Sequence, residues 1–146
     1  MKGTRAALLA SILLTWVGAT AGAQERRSQV SRPSAGFSLE PASPNPFRRE
    51  TRIPFLLEPD LFENRREVFV SIRIYNLLHQ LVAVPRLVEE PRPERRLDGL
   101  AFERSGRYEA VWDGHDLDGD RVTQGPYFVQ LLVDGRSQVR KVLYVR

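Results

Sequence analysis

The chain has 146 residues, enough for one domain, and contains no cysteine. The missing thiol excludes a disulfide framework, a thiol nucleophile, a Cys-based metal site and the lipid-modified cysteine of a bacterial lipoprotein. Its 22 basic and 18 acidic residues leave a net charge of +4, with Arg and acid interspersed, so no basic stripe points to nucleic acid.

Residues 1–23 read as a secretory signal peptide. Lys2 and Arg5 form the positive start, Ala6 to Gly18 the apolar stretch, and Ala21-Gly22-Ala23 a small-x-small cleavage site. The apolar stretch is too short for a stable membrane span, and the mature chain is expected to begin at Gln24. Without Lys2 and Arg5 the net charge drops by two. Residues 24–36 are polar and lack a hydrophobic period, which predicts a flexible linker ahead of a folded region over residues 37–146.

Phe37-Ser38-Leu39 predicts a first short strand. The prolines Pro41, Pro44 and Pro46 then forbid helix and interior sheet, giving a rigid turn that presents Phe47 inward. Thr51 to Leu57 alternates, with Ile53, Phe55 and Leu57 on one face. Pro54 on the other face predicts an edge strand, or a position whose missing N–H would point to solvent. Glu58 to Glu67 is a polar connection in which Pro59-Asp60 can open one helical turn. Val68 to Tyr75 is the clearest strand, with Val68, Val70, Ile72 and Ile74 on one face. Asn76 to Gln80 is expected to be a turn with apolar contacts, and Leu81 to Leu87 a return strand interrupted at Pro85.

Val88 to Ser105 carries two prolines and a run of charge. It predicts an exposed loop with a short helical turn near Leu100 to Glu103, and it is a candidate partner-binding loop. Tyr108 to Trp112 is the next strand, with Tyr108, Ala110 and Trp112 on one face. Gly125 to Val133 follows an Asp-rich loop, Asp134-Gly135 is a hairpin turn signal, and Ser137 to Val145 completes the hairpin. About seven short strands, turn punctuation throughout and no long helical period predict an all-β antiparallel β-sandwich.

The loop after Trp112 holds Asp113, Asp116, Asp118 and Asp120. Asp116, Asp118 and Asp120 follow the alternate spacing that opens an EF-hand loop, but Arg121 stands where that loop needs Gly and Tyr127 where it needs Glu. These three carboxylates are the one metal candidate, for a looser Ca²⁺ site. The competing reading is a tight turn whose carboxylates accept backbone N–H groups. His79 and His115 lie in different loops with no second ligand at metal spacing. Glu89-Glu90 imitates a catalytic carboxylate pair but sits in a proline-rich stretch that reads as solvated. Gly-x-Ser-x-Gly, His-Glu-x-x-His and a glycine-rich phosphate loop are all missing from the sequence, so neither catalysis nor a cofactor is expected. Trp112, Tyr127, Phe128 and Tyr144 are candidates for a sugar-binding platform, against the commoner role of such aromatics as core.

Three pieces occur in order: Pro44-Asn45-Pro46-Phe47 followed by Thr51-x-Ile53-x-Phe55; Ile74-Tyr75-Asn76-Leu77-Leu78-x-x-Leu81-Val82; and Trp112-Asp113-Gly114-x-Asp116-x-x-Gly119 leading to Gly125-x-Tyr127-Phe128. The chain ends in Lys141-Val142-Leu143-Tyr144-Val145-Arg146. Over residues 37–146 this resembles the Ig-like, or fibronectin type III-like, domain of the flagellar hook-capping protein FlgD, a module that also serves as the C-terminal sorting domain of type IX secretion substrates. The sequence departs from that pattern at Leu78-His79-Gln80, where the family has Leu-Gly-Arg, and at Pro126, where it has a small apolar residue. The Val88 to Ser105 loop is also longer, and no cargo is expected to accompany the module. The resemblance implies an Ig-like β-sandwich that is exported to the periplasm, the cell surface or the medium. Its expected work is non-enzymatic: binding another envelope, surface or secretion-system protein, or sorting. A carbohydrate-binding module of the cell surface is the alternative from a different class.

Overall fold

The computed structural model describes residues 35–88 and 95–146. The predicted signal peptide, the linker up to Ser34, and Glu89-Glu90 lie outside the described residues. Ten short strands run in chain order: β1 (Phe37–Leu39), β2 (Thr51–Leu57), β3 (Val68–Tyr75), β4 (Leu81–Ala83), β5 (Arg86–Val88), β6 (Arg95–Arg96), β7 (Leu100–Phe102), β8 (Gly106–Trp112), β9 (Gly125–Val133) and β10 (Arg136–Tyr144). They form two sheets with antiparallel pairing throughout. The first has the order β1-β2-β8-β5-β6. The second has the order β10-β9-β3-β4, with β7 also paired to β3. The molecule is an antiparallel β-sandwich, and among the described residues no helix is long and apolar enough to cross a membrane.

Period-two alternation builds the core. Val68, Val70, Ile72 and Ile74 of β3 are all fully buried and face Ile53, Phe55 and Leu57 of β2 across the layer. Trp112, Tyr127 and Tyr144 close one end of it. Phe47 is carried inward by the proline turn as predicted; its ring centroid lies 5.2 Å from that of Trp112 and 5.1 Å from that of Tyr144. Thr51, buried beside this cluster, satisfies its hydroxyl by donating to the Pro44 carbonyl at 2.8 Å. The hairpin turn has φ 46° at Asp134 and 83° at Gly135, and the Asp134 side chain accepts from the Phe69 N–H at 3.0 Å.

The structure corrects four expectations. β2 is an interior strand, with β1 on one side and β8 on the other. Pro54 sits opposite the end of β1, where Glu40 N–H donates to Pro54 O at 2.9 Å, so its carbonyl is paired although proline has no N–H to return. The turn after β3 holds its leucines out to solvent, Leu77 61% and Leu78 76% exposed. The segment from Leu81 to Leu87 is two strands in opposite sheets, and Pro85 marks the crossing. Finally, the described part of the Val88 to Ser105 segment, residues 95–105, holds strands and no helical turn. β6 pairs with β5, β7 pairs with β3, and Leu97 and Phe102 are buried. Leu97 N–H donates to Pro85 O at 2.9 Å and Leu97 O accepts from Ile72 N–H at 2.8 Å, so one residue links both sheets. These splits and additions account for ten strands where about seven were expected.

The two crossings close one side of the sandwich, and side chains close the other. The free edge of β1 meets Gln138, whose carboxamide oxygen accepts from Leu39 N–H at 2.9 Å while its NH₂ donates to Phe37 O at 2.9 Å. Arg140 Nε donates to the Leu39 carbonyl. The outer edge of β10 is occupied in turn. Leu143 N–H donates to Asn45 Oδ1 at 2.9 Å, and Phe47 exchanges backbone bonds with Leu143 and Val145. Edge strands expose unpaired backbone that invites association, and here Phe37 O and Leu39 on β1, and Lys141 O and Leu143 on β10, are already engaged.

Candidate functional site

The Asp-rich loop is organised by one carboxylate. Asp116 Oδ1 accepts from the N–H groups of Asp118 at 3.0 Å and Asp120 at 2.9 Å, while Asp116 N–H donates to Asp120 O at 2.8 Å. This is the Asx-turn chemistry that favours Asp in tight loops. Asp118 and Asp120 are exposed, and among the described residues no three side chains of metal-ligating type come together. Trp112 anchors the start of the loop by donating its indole N–H to His115 O at 2.9 Å.

A groove of about 400 Å³ lies between this loop and the β4–β5 crossing, lined by Arg86, Arg96, Asp113, His115 and Leu117 among others. Asp113 is its centre. His115 N–H donates to Asp113 Oδ1 at 3.1 Å, His115 Nδ1 lies 3.2 Å from the same oxygen, and Arg86 Nη2 lies 3.4 Å from Oδ2. Partial burial pushes the Asp113 carboxyl up. The His115 backbone N–H, the His115 ring and Arg86 outweigh that and hold it below the usual carboxylate range. The His115 backbone N–H and Arg86 join this carboxylate to the loop and to β5.

The candidate sugar platform does not assemble on the surface. Trp112, Tyr127 and Tyr144 are buried, with Trp112 and Tyr127 packed edge-to-face at a centroid distance of 5.2 Å. They share the inward phase of their strands, and Phe128 takes the opposite phase. Its ring is half-buried and parallel to that of His79, 6.5 Å away.

The two outer faces of the sandwich differ in kind. On the first sheet, outward side chains are joined by ion pairs: Arg52 with Glu109 at 2.6 Å, Arg107 with Glu40 at 2.8 Å, and Arg86 with Asp113. On the second sheet they are mainly apolar. Phe69 is 51%, Val139 54%, Leu81 41% and Leu143 36% exposed, with Phe128 and Leu132 half-buried between them. Leu77 and Leu78 extend this surface at the end of β3. Their turn is pinned by Asn76, whose Oδ1 accepts from the N–H groups of Leu78 at 2.9 Å and Gln80 at 3.0 Å and whose NH₂ donates to Gln80 Oε1 at 2.8 Å. Gln130 and Arg73, opposite one another in the register, cross this otherwise apolar surface; exposed apolar side chains gathered on a water-facing sheet mark a contact surface.

The chain matches no protein-family model, no curated protein and no solved structure.

The sequence carried a signal for this face. β3, β9 and β10 have apolar residues on both alternating phases, such as Val70 with Phe69, Leu131 with Leu132, and Val142 with Val139 and Leu143. A strand apolar on both phases is either covered on both faces or exposes one of them. Here the sandwich covers only the inner phase.

Proposed function

We propose that this chain is an exported, non-enzymatic Ig-like module that acts by binding another protein at the cell envelope or surface, or in secretion and sorting. The observation that carries this reading is the contrast between the two outer faces. One is closed by its own ion pairs, while the other leaves Phe69, Leu81, Val139 and Leu143 open on a rigid sheet. Docking onto this face is the mode it supports; at β1 and at the Leu143 end of β10, Gln138, Arg140 and the Asn45–Phe47 segment already occupy the edge that an added strand would need.

The resemblance to the FlgD-type domain draws support from where its motif residues stand. The Pro-Asn-Pro-Phe segment locks onto the final strand through Asn45 and Phe47. His79 takes φ 59° at the position where that family carries glycine. The carbohydrate-binding reading loses its platform with the burial of Trp112, Tyr127 and Tyr144.

The test is site-specific photo-crosslinking in the cell envelope. A crosslinker at Val139 is expected to capture a discrete protein that the same group at Arg52 does not. Identical products from both positions would refute face-specific binding. For the sorting branch, a reporter fused ahead of residues 37–146 is expected to cross the outer membrane of a type IX-competent host, and retention in the periplasm would reject that branch.

A further inference from the structure

The apolar face of the second sheet has a charge signature of its own. The outward positions of β3, β9 and β10 alternate with the buried ones, and none of them is acidic. Arg73 and Lys141 are the charged residues among them. Arg73 is held by Asp98 at 3.0 Å, at the margin of the face. Lys141 is exposed, and its ammonium has no ion-pair partner among the described residues. The register places Lys141 opposite Phe128, Phe128 opposite Tyr75, and Tyr75 opposite Leu81. One uncompensated cation therefore stands at the end of a row of apolar side chains that crosses four strands.

That arrangement discriminates between occupants. A second copy docking face to face would bring a surface whose marginal carboxylates, Asp98 and Asp134, are already held by Arg73 and Arg65 against another, leaving both Lys141 ammonium groups desolvated and unmatched. An anionic membrane surface needs several free cations, each adding about 1 kcal/mol. The outward positions of β3, β9 and β10 offer one, Lys141. An apolar protein segment carrying one carboxylate satisfies both features at once.

We infer that this face docks an apolar protein segment with an aspartate or glutamate placed against Lys141. The inference rests on the reading of the second sheet's outer face as the interaction surface, and the experiment separates the two. The full chain is panned against random peptides displayed on phage, and the enriched peptides are synthesised and titrated by calorimetry. Enriched sequences are expected to combine apolar residues with an acid. Lys141→Glu and Lys141→Gln, checked for an unchanged melting curve, are expected to weaken binding about tenfold, the scale of a close interfacial charge pair. Changing the peptide acid to lysine is expected to restore binding to Lys141→Glu. Arg52→Ala on the opposite sheet leaves affinity unchanged.

Peptides that are neutral or basic, or that ignore Lys141→Glu but are lost on Phe69→Ser with Val139→Ser, would leave the face as a binding surface and overturn its acidic partner. Peptides indifferent to all of these substitutions, or no enrichment at all, would overturn the face itself and the inference with it. A concentration-dependent dimer in sedimentation that Val139→Ser abolishes would assign the face to a second copy. Binding to phosphatidylcholine–phosphatidylserine vesicles that Lys141→Glu abolishes would assign it to lipid. Either result overturns the inference.

Discussion

Gln138 stands in for a strand. Its carboxamide meets Leu39 N–H and Phe37 O, each at 2.9 Å, as a neighbouring peptide group would, and it does so in a half-buried setting. Two neutral hydrogen bonds at about 1 kcal/mol each, partly replaced by water when the side chain is cut back, put Gln138→Ala at about 1–2 kcal/mol of destabilisation. Gln138→Met is expected to cost more, about 2–4 kcal/mol, because it excludes water and leaves both backbone groups unpartnered. Gln138→Glu keeps the acceptor for Leu39 N–H but sets a carboxylate oxygen against the Phe37 carbonyl. That contact favours the protonated acid, so the folded-state pKa rises above the unfolded value near 4.3. Between the two values the folded chain binds more protons than the unfolded one. Stability of Gln138→Glu therefore falls as pH rises through that window and recovers towards pH of about 4. Urea unfolding of the three variants at neutral and acid pH measures this. The reasoning fails if Met is no worse than Ala, or if Glu shows no acid recovery relative to the unsubstituted chain.

Phe47→Ala is expected to destabilise by about 3–5 kcal/mol in the same assay, since a fully enclosed ring between Trp112 and Tyr144 leaves a cavity that the rigid proline turn cannot collapse. Asp113, with its folded-state pKa lowered, adds stability that is present above about pH 4 and is lost as pH falls through the folded value. Asp113→Asn is expected to flatten that acid limb of the stability–pH curve, and an unchanged limb would count against the His115 and Arg86 contacts. Deleting residues 88–105 removes Leu97 and Phe102 from the core together with two strands, so circular dichroism is expected to show loss of the fold rather than a shortened loop.

How much of this was readable from the chain depends on the period of each stretch. Val68 to Tyr75 and Tyr108 to Trp112 carry clean alternation, and the structure places their inward residues as expected. Phe47 was legible from the prolines around it. Residues 95–102 were not, because β6 and β7 are so short that no alternation can develop, and charge dominates β6. What fixes them is Leu97, whose backbone bonds reach Pro85 and Ile72, partners distant enough that no local pattern announces them. The Asp116 turn was legible as one of two readings of the spacing, and its carboxylate does accept two N–H groups, from Asp118 and Asp120. The open face of the second sheet was written in the second phase of β9 and β10, but a single strand does not reveal which phase its fold leaves uncovered.

The clasp between the first and last strands has a consequence for timing. Phe37 and Leu39 depend on Gln138 and Arg140, about a hundred residues later in the chain, and Asn45 and Phe47 depend on Leu143. A chain that emerges from its N-terminus cannot complete either edge until its final hairpin arrives. Folding is thereby tied to the end of synthesis or transport, and contacts of such long range make it slow relative to a helical domain of equal size. Until then the early strands expose open backbone, and a chaperone that holds extended segments would find its sites in β1 and β2.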